Sequence, residues 1–233
     1  MKRDILKLVM GVVMLAGVWL LMRYVVKGAM EVMPVGTMAD TGYVVVIDAG
    51  HGGVDPGVLG IGGIQEKDIN LIISLKLKAL LEEQGIRVVM TRETDAGLYS
   101  ENDTNKKMAD MKARCAIIEE ENADMVVSIH QNSFSDPKVS GAQVFYYTHS
   151  EEGALMAQSV QDSIRENVDE TNLRKIKGND TYYMLLHTSC PTIIVECGFV
   201  TNEEEAALLV TEEYQDAVAD AITKGIIEYL SDK

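Results

Sequence analysis

Three runs of consecutive apolar, mostly β-branched residues decide most of what this chain can become: Tyr43–Asp48 (YVVVID), Met125–His130 (MVVSIH) and Thr192–Glu196 (TIIVE). A strand with one wet face alternates apolar and polar side chains. Runs without alternation belong to strands covered on both sides, as in parallel sheets whose crossover helices lie on the two faces. The intervening sequence supplies such helices. Ile69, Ile72, Ile73, Leu77, Leu80 and Leu81 share one face of a helix expected from about Lys67 to Gln84 and stopped by Gly85. Further helices are expected near Met108–Glu121, Glu151–Val168, Glu203–Leu209 and Glu212–Leu230, and further strands at Arg87–Thr91 and Ala142–Tyr147. Residues 49–63 read as a glycine-rich loop, 92–107 as a polar loop, and 169–191 as a polar stretch without an assigned element. The pattern predicts an α/β fold: a mostly parallel twisted sheet with helices on both faces.

The amino-terminal segment is a different kind of object. Leu8 to Met22 carry no charge, and the apolar span from Ile5 to Val26 reaches 22 residues if Lys7 and Arg23 snorkel. As a helix that span is roughly 33 Å long, enough to cross a bilayer. Arg23 and Lys27 follow it where a cleaved signal peptide would show a small-x-small site, so an uncleaved anchor is expected. Three basic residues precede the core and two follow, which favours a cytoplasmic amino terminus. The expected organisation is a transmembrane helix and anchor at residues 1–27, a linker at 28–41 and an exported catalytic domain at 42–233.

Charge follows the same division. The whole chain holds 21 Lys and Arg against 36 Asp and Glu, a formal −15. Residues 1–39 contain five basic and two acidic side chains, a net +3, which leaves −18 on residues 40–233. A domain so acidic has no footprint for neutralising phosphates, which excludes a nucleic-acid partner. Its three cysteines make no disulfide framework: Cys190 and Cys197 are separated by a strand of some 20 Å. Cys115, Cys190 and Cys197 are expected as buried thiols.

The buried strands deliver ionisable side chains to one edge. YVVVID runs into Ala-Gly-His51, MVVSI ends in His130, and TIIV ends in Glu196. In open α/β sheets the carboxyl edge is where ligands bind. Glu66 sits just before the first helix, after a glycine-rich loop flexible enough to fold it back toward His51. His51, Glu66 and His130 would then form the ligand set of a catalytic zinc with its fourth position left for water, making hydroxide available near neutral pH. Glu196 would move the water's proton to a leaving nitrogen, and such a constellation hydrolyses amides. Taken singly, each residue has a plainer reading. Glu66 can place charge at a helix amino terminus, His51 can be a solvated turn residue, and His130 a satisfied histidine at a strand end. Glu196 resists one, because a lone buried carboxylate is costly. His149 and His187 lack such settings and read as structural or surface residues.

The blocks VVIDAGHGGVDPG (45–57), QEKDINL (65–71), MTRETD (90–95), NADMVVSIHQNS (122–133), SGAQVFYY (140–147) and PTIIVECGFVTNEEE (191–205) resemble the zinc-dependent N-acetylmuramoyl-L-alanine amidases in order along nearly all of residues 43–230. The resemblance implies zinc held by His51, Glu66 and His130, with Glu196 as the catalytic carboxylate. It also implies a peptidoglycan substrate, cut at the amide between the muramic lactyl group and L-alanine. Within the family the chain is similar to the spore-cortex, germination-specific amidases of endospore formers. Those strip peptides from muramic acid on the way to muramic-δ-lactam. That similarity implies action outside the cytoplasmic membrane, in the space between the forespore membranes. Gln131 and Cys197 stand where small or apolar residues are common in the family, and Cys197 beside the site raises the question of oxidation or adventitious metal binding. The 65 positions between His130 and Glu196 leave little room for an inserted inhibitory helix, so restraint is expected from timing of expression or from an accessory protein.

Other chemistry fits less well. Neither GxxxxGK[ST] nor a clean GxGxxG is present for a phosphate loop, and a Cys197/His nucleophile would leave Glu196 without purpose. A zinc carboxypeptidase or aminopeptidase shares the ligand chemistry, and only the block resemblance separates them. A vegetative autolysin and a catalytically silent wall-binding protein are the remaining alternatives. Retention of all four site residues argues against the silent protein.

Overall fold

The computed structural model describes residues 40–233. The expected anchor and nearly all of the linker lie outside them. Among the described residues no helix is long and apolar enough to cross a membrane.

Six strands form one sheet in the order β2-β1-β3-β6-β4-β5. They are β1 (Val44–Ala49), β2 (Arg87–Met90), β3 (Met125–Asn132), β4 (Gln143–Tyr147), β5 (Lys177–Asn179) and β6 (Thr192–Phe199). β2, β1, β3 and β6 are mutually parallel. β4 runs antiparallel to β6, and β5 pairs with β4 in parallel, so the sheet is parallel over four strands and reverses at one side. Six helices accompany it: α1 (Glu66–Glu83), α2 (Lys106–Glu120), α3 (Glu151–Asn167), α4 (Tyr183–Leu186), α5 (Glu203–Leu209) and α6 (Glu212–Ser231). β5 and the single turn of α4 fall within the stretch to which the sequence assigned no element.

The period-2 alternation sorts the central strands onto two faces. Val45, Ile47, Met125, Val127, Ile129, Ile193, Val195 and Cys197 belong to the large core that also holds Ile73 and Leu77 of α1, Met156 and Val160 of α3, and Ile222 and Ile226 of α6. The opposite face is thinner, with Val46 and Val126 packed on Ile118 of α2 and Met184 of α4. α3 and α6 approach closely because Gly225 lacks a side chain: a Cβ there would sit 2.6 Å from Val160 Cα and 2.9 Å from its nitrogen. Four helices, α2, α3, α5 and α6, start on sequence-legible caps, whereas α1 has no side-chain cap. Asn105, Ser150, Asn202 and Thr211 each accept a backbone N–H of the first turn.

On the thinner face, toward the carboxyl edge, the alternation turns polar. Asp48 stands opposite Ser128 across β1 and β3, and His130 opposite Glu196 across β3 and β6. Beyond His130 the β3–β6 register shifts by a bulge before Asn132 meets Phe199, an irregularity common beside functional sites.

Candidate active site

A cavity of about 490 Å³ opens over this polar corner, between α2 and α4. Its lining includes His51, Glu66, His130 and Glu196, so the four residues singled out from the sequence are brought together.

The loop after β1 carries His51, whose backbone is held in the left-handed region at φ 62°, a conformation uncommon outside glycine and frequent at functional sites. Three buried cations fix that conformation from behind. Arg114 donates to the carbonyls of Ala49 and His51 at 2.8 and 2.6 Å, and its charge is balanced by Asp48 and Asp110, each 2.6 Å away. Arg92 donates to the carbonyls of Ala49, Gly50 and Lys67. Lys67 bridges the Gly53 carbonyl and Asp95 at 2.9 and 2.7 Å. Burial alone would raise the Asp48 carboxyl, but Arg114 and the Ser128 hydroxyl bring it down to about 2. Two glycines make room for the His130 and Glu66 side chains. A Cβ on Gly50 would overlap the His130 ring, and one on Gly57, at φ +69°, would sit 2.5 Å from Glu66 Oε2.

Glu66, the first residue of α1, is 2% exposed and accepts at both oxygens. Oε1 takes hydrogen bonds from Asn70 Nδ2 and the Gln131 N–H and lies 2.9 Å from His130 Nδ1. Oε2 takes the Val58 N–H at 2.8 Å and lies 3.3 Å from His51 Nε2. Burial opposes ionisation of Glu66, but His130 and His51 outweigh it and hold the carboxyl well below the usual range. The reciprocal effect raises His130: burial would lower it, yet Glu66 lifts the imidazole to about 9.

This donor set fits a divalent metal. One atom from each of His51, Glu66 and His130 lies within 4.8 Å of the others. Ligands of a tetrahedral zinc stand roughly 3.3 Å apart, close to the His51–Glu66 spacing. His51 Nδ1 also meets Asp55 Oδ2 at 2.9 Å, which leaves Nε2 facing inward with the orienting carboxylate that metal-binding imidazoles ordinarily have. The three residues could therefore hold a metal without rearrangement of the chain.

Glu196 lies beside this cluster and is not part of it. It is 8% exposed, and Oε2 is buried with no hydrogen-bond partner among the described residues. Burial pushes its carboxyl up to about 7, helped by the charge of Glu66 and opposed by His130. An unpartnered carboxyl of this kind is suited to exchanging a proton with a bound molecule.

Several lining residues had no local signal in the sequence. Tyr182, against Phe145 at 5.6 Å between ring centroids, enters from the unassigned stretch. Asp48, Arg114 and Ser128 form the floor. Cys197 is buried as expected, and its setting answers the question its place in the sequence raises. It neighbours Glu196 in sequence, but alternation turns it to the opposite face, where it is fully buried and burial pushes its thiol far up. It is shielded from solvent, and it is not among the residues whose donor atoms converge at His51, Glu66 and His130. Cys115 is likewise buried, whereas Cys190 is only half-buried. His149 and His187 lie outside the cavity lining.

Comparison with known proteins shows the family. The sequence model of the N-acetylmuramoyl-L-alanine amidase family matches residues 45–228. The germination-specific N-acetylmuramoyl-L-alanine amidase of Bacillus subtilis is 38% identical over 196 residues, 83% of this chain and 82% of that protein. AmiA of Escherichia coli is 30% identical over 80% of this chain and 75% of its own length. The CwlD amidase of Clostridioides difficile, solved in complex with the GerS lipoprotein, superposes with a TM-score of 0.80 at 42% identity, covering 82% of this chain and all of that one. The corner that brings His51, Glu66, His130 and Glu196 together thus sits on a chain that belongs to the N-acetylmuramoyl-L-alanine amidase family and has that family's hydrolytic activity.

Proposed function

We propose that this amidase is a zinc enzyme, with His51, Glu66 and His130 as ligands and Glu196 as the catalytic carboxylate. We further propose that it removes stem peptides from spore-cortex peptidoglycan as the first step toward muramic-δ-lactam. The observation that carries the reading is the convergence of the three donors with the unpartnered Glu196 carboxyl in one cavity. The likeness to a germination-specific amidase supports the cortex role. Residues 1–27 would tether the domain to the membrane, with catalysis outside the cytoplasm in the space between the forespore membranes. A domain carrying −18 gains nothing from long-range attraction to an anionic wall, whereas tethering raises local concentration without any new contact. The complex of the C. difficile relative with a lipoprotein supports an accessory protein of that class for this chain.

When bound, zinc supplies the Lewis acidity that makes water nucleophilic near neutral pH. The residues of the chain do the rest. Glu196, with a carboxyl near 7, exists in both protonation states around neutrality. It accepts the proton of the attacking water and returns it to the amide nitrogen, which otherwise would have to leave as an anion. Asp55 holds the His51 ring in the tautomer that presents Nε2 inward. The Arg114 and Arg92 bonds keep the backbone of the loop in place as substrate enters.

Mass spectrometry of muropeptides incubated with the zinc-loaded protein tests the reaction. Released peptides beginning with L-alanine, and muramic residues with a free lactyl carboxyl, are expected; cuts between peptide residues or within the glycan would overturn it. The cortex role predicts that deletion gives spores without muramic-δ-lactam that fail to complete germination. Normal cortex with a chain-separation defect would make the protein a vegetative autolysin.

A further inference from the structure

The cavity has an annex. About 220 Å³ of further space opens between the loop from Gly52 to Pro56, Tyr99 and the first turn of α2, and its wall shares Asp55, Lys107 and Asp110 with the main cavity. Five carboxylates line the two spaces, from Asp48, Asp55, Glu66, Asp110 and Glu196. Nearly every cation at hand is already committed. Arg114 is consumed by two carboxylates and two carbonyls. Lys106 is held by Glu101 at 2.8 Å and lies over the Tyr99 ring.

Lys107 is in a different position. Its side chain is 73% exposed, and the nearest carboxylate, Asp55 Oδ2, is 3.8 Å away and already engaged by His51 Nδ1. Among the described residues lining the cavity and its annex, Lys107 is the cation with capacity left for a ligand. Its place on the shared wall puts it beside the reacting centre. One or two residues beyond a scissile amide span at most about 7 Å of extended chain, so a peptide leaving group has the length to pass from the main cavity into the annex.

We propose that the annex receives the acidic stem peptide and that Lys107 binds a carboxylate on it, making Lys107 a determinant of preference for substrates with a free carboxylate near the scissile amide. The proposal rests on the peptidoglycan-amidase reading. In a domain of net −18 an acidic peptide meets general repulsion, and a local counter-charge at the subsite offsets it where the peptide must lie.

Two synthetic muramoyl peptides provide the test. They are identical except that the residue after L-alanine bears a free carboxylate in one and a carboxamide in the other. With the zinc-loaded full chain, the acid is expected to show a KM lower by about 5-fold, an advantage that shrinks as salt is added. Lys107→Gln should abolish the difference and Lys107→Glu reverse it. Lys112→Gln, an equal charge change on the same helix outside both spaces, should retain it. Retention of the full acid preference by Lys107→Gln, or equal KM values for the two peptides in the wild type, would overturn the subsite while leaving the amidase intact. No release from either peptide by the wild type would overturn the amidase reading and the subsite with it.

Discussion

On the proposed reading Glu196 and Asp55 would act on the same reaction through different partners, and substitution separates them. Glu196 contacts none of the donor atoms of the metal cluster by hydrogen bond, and one of its oxygens has no partner at all. Glu196→Gln should therefore lower kcat by about 10²–10⁴-fold, the range of a lost general acid–base, with zinc content unchanged by metal analysis. Loss of metal in that variant would instead make Glu196 a ligand. Asp55 touches the cluster only through His51 Nδ1. Asp55→Ala should weaken zinc binding by about 10–100-fold, as removal of an orienting carboxylate does, read by competition with a chromophoric chelator. Equal affinity for zinc would assign Asp55 to loop structure through its Gly57 N–H bond alone. The sequence made His51, His130 and Glu196 visible because each stands at or just beyond the end of an apolar run, where an ionisable group is conspicuous. Asp55 and Lys107 lie in polar surroundings, and nothing local distinguishes them from solvated residues. Cys197 was legible in principle: once Glu196 is assigned to the cavity face, period-2 alternation sends residue 197 to the other.

At the level of elements, the strands that are apolar throughout and the helices with a clear stripe appear where the pattern puts them, and the misses share one cause. β5 is Lys-Gly-Asn, held by backbone pairing to β4, and α4 is one turn, too short to show a period. The antiparallel setting of β4 is likewise a matter of topology, and a five-residue strand reads the same in either direction. The Asp48–Arg114 pair spans 66 residues, so no local window contains it. Helix packing is sharper than the pattern alone indicates. Gly225 sits inside α6, where glycine is ordinarily unfavourable by about 1 kcal/mol relative to alanine, yet a Cβ there would meet Val160 backbone at 2.6 and 2.9 Å and the Ser159 carbonyl at 3.0 Å. The backbone of α3 cannot yield as a flexible side chain would. Gly225→Ala should destabilise the domain by about 1–3 kcal/mol despite its better helix propensity, seen as a lower urea midpoint with the same slope. A rise in the midpoint would mean that the two helices separate at little cost.

Across the whole molecule, the proposed metal binding would be joined to stability through the charges at the carboxyl edge of the sheet. In the metal-free protein Glu66 is held ionised and His130 is raised from an ordinary 6.5 to about 9, so near neutral pH the two form a partly buried ion pair. A histidine whose folded pKa is raised contributes stability that is fully present below about 6.5 and is lost as pH rises through about 9. Glu66, lowered on folding, keeps its contribution over that window and loses it only in acid. With His130 as the proposed ligand, zinc would require its neutral imidazole and so compete with the His130 proton. Three consequences follow from that competition. Binding near pH 7 should release protons, zinc affinity should climb as pH approaches 9, and the rise in melting temperature on adding a fixed excess of zinc should be greater at pH 9 than at pH 6. Scanning calorimetry with and without zinc at the two pH values measures the last, and titration calorimetry in buffers of different ionisation enthalpy measures the first. A zinc-induced shift that is equal at pH 6 and pH 9 would mean that the metal does not displace the His130 proton, and the assignment of His130 as a ligand would fall with it.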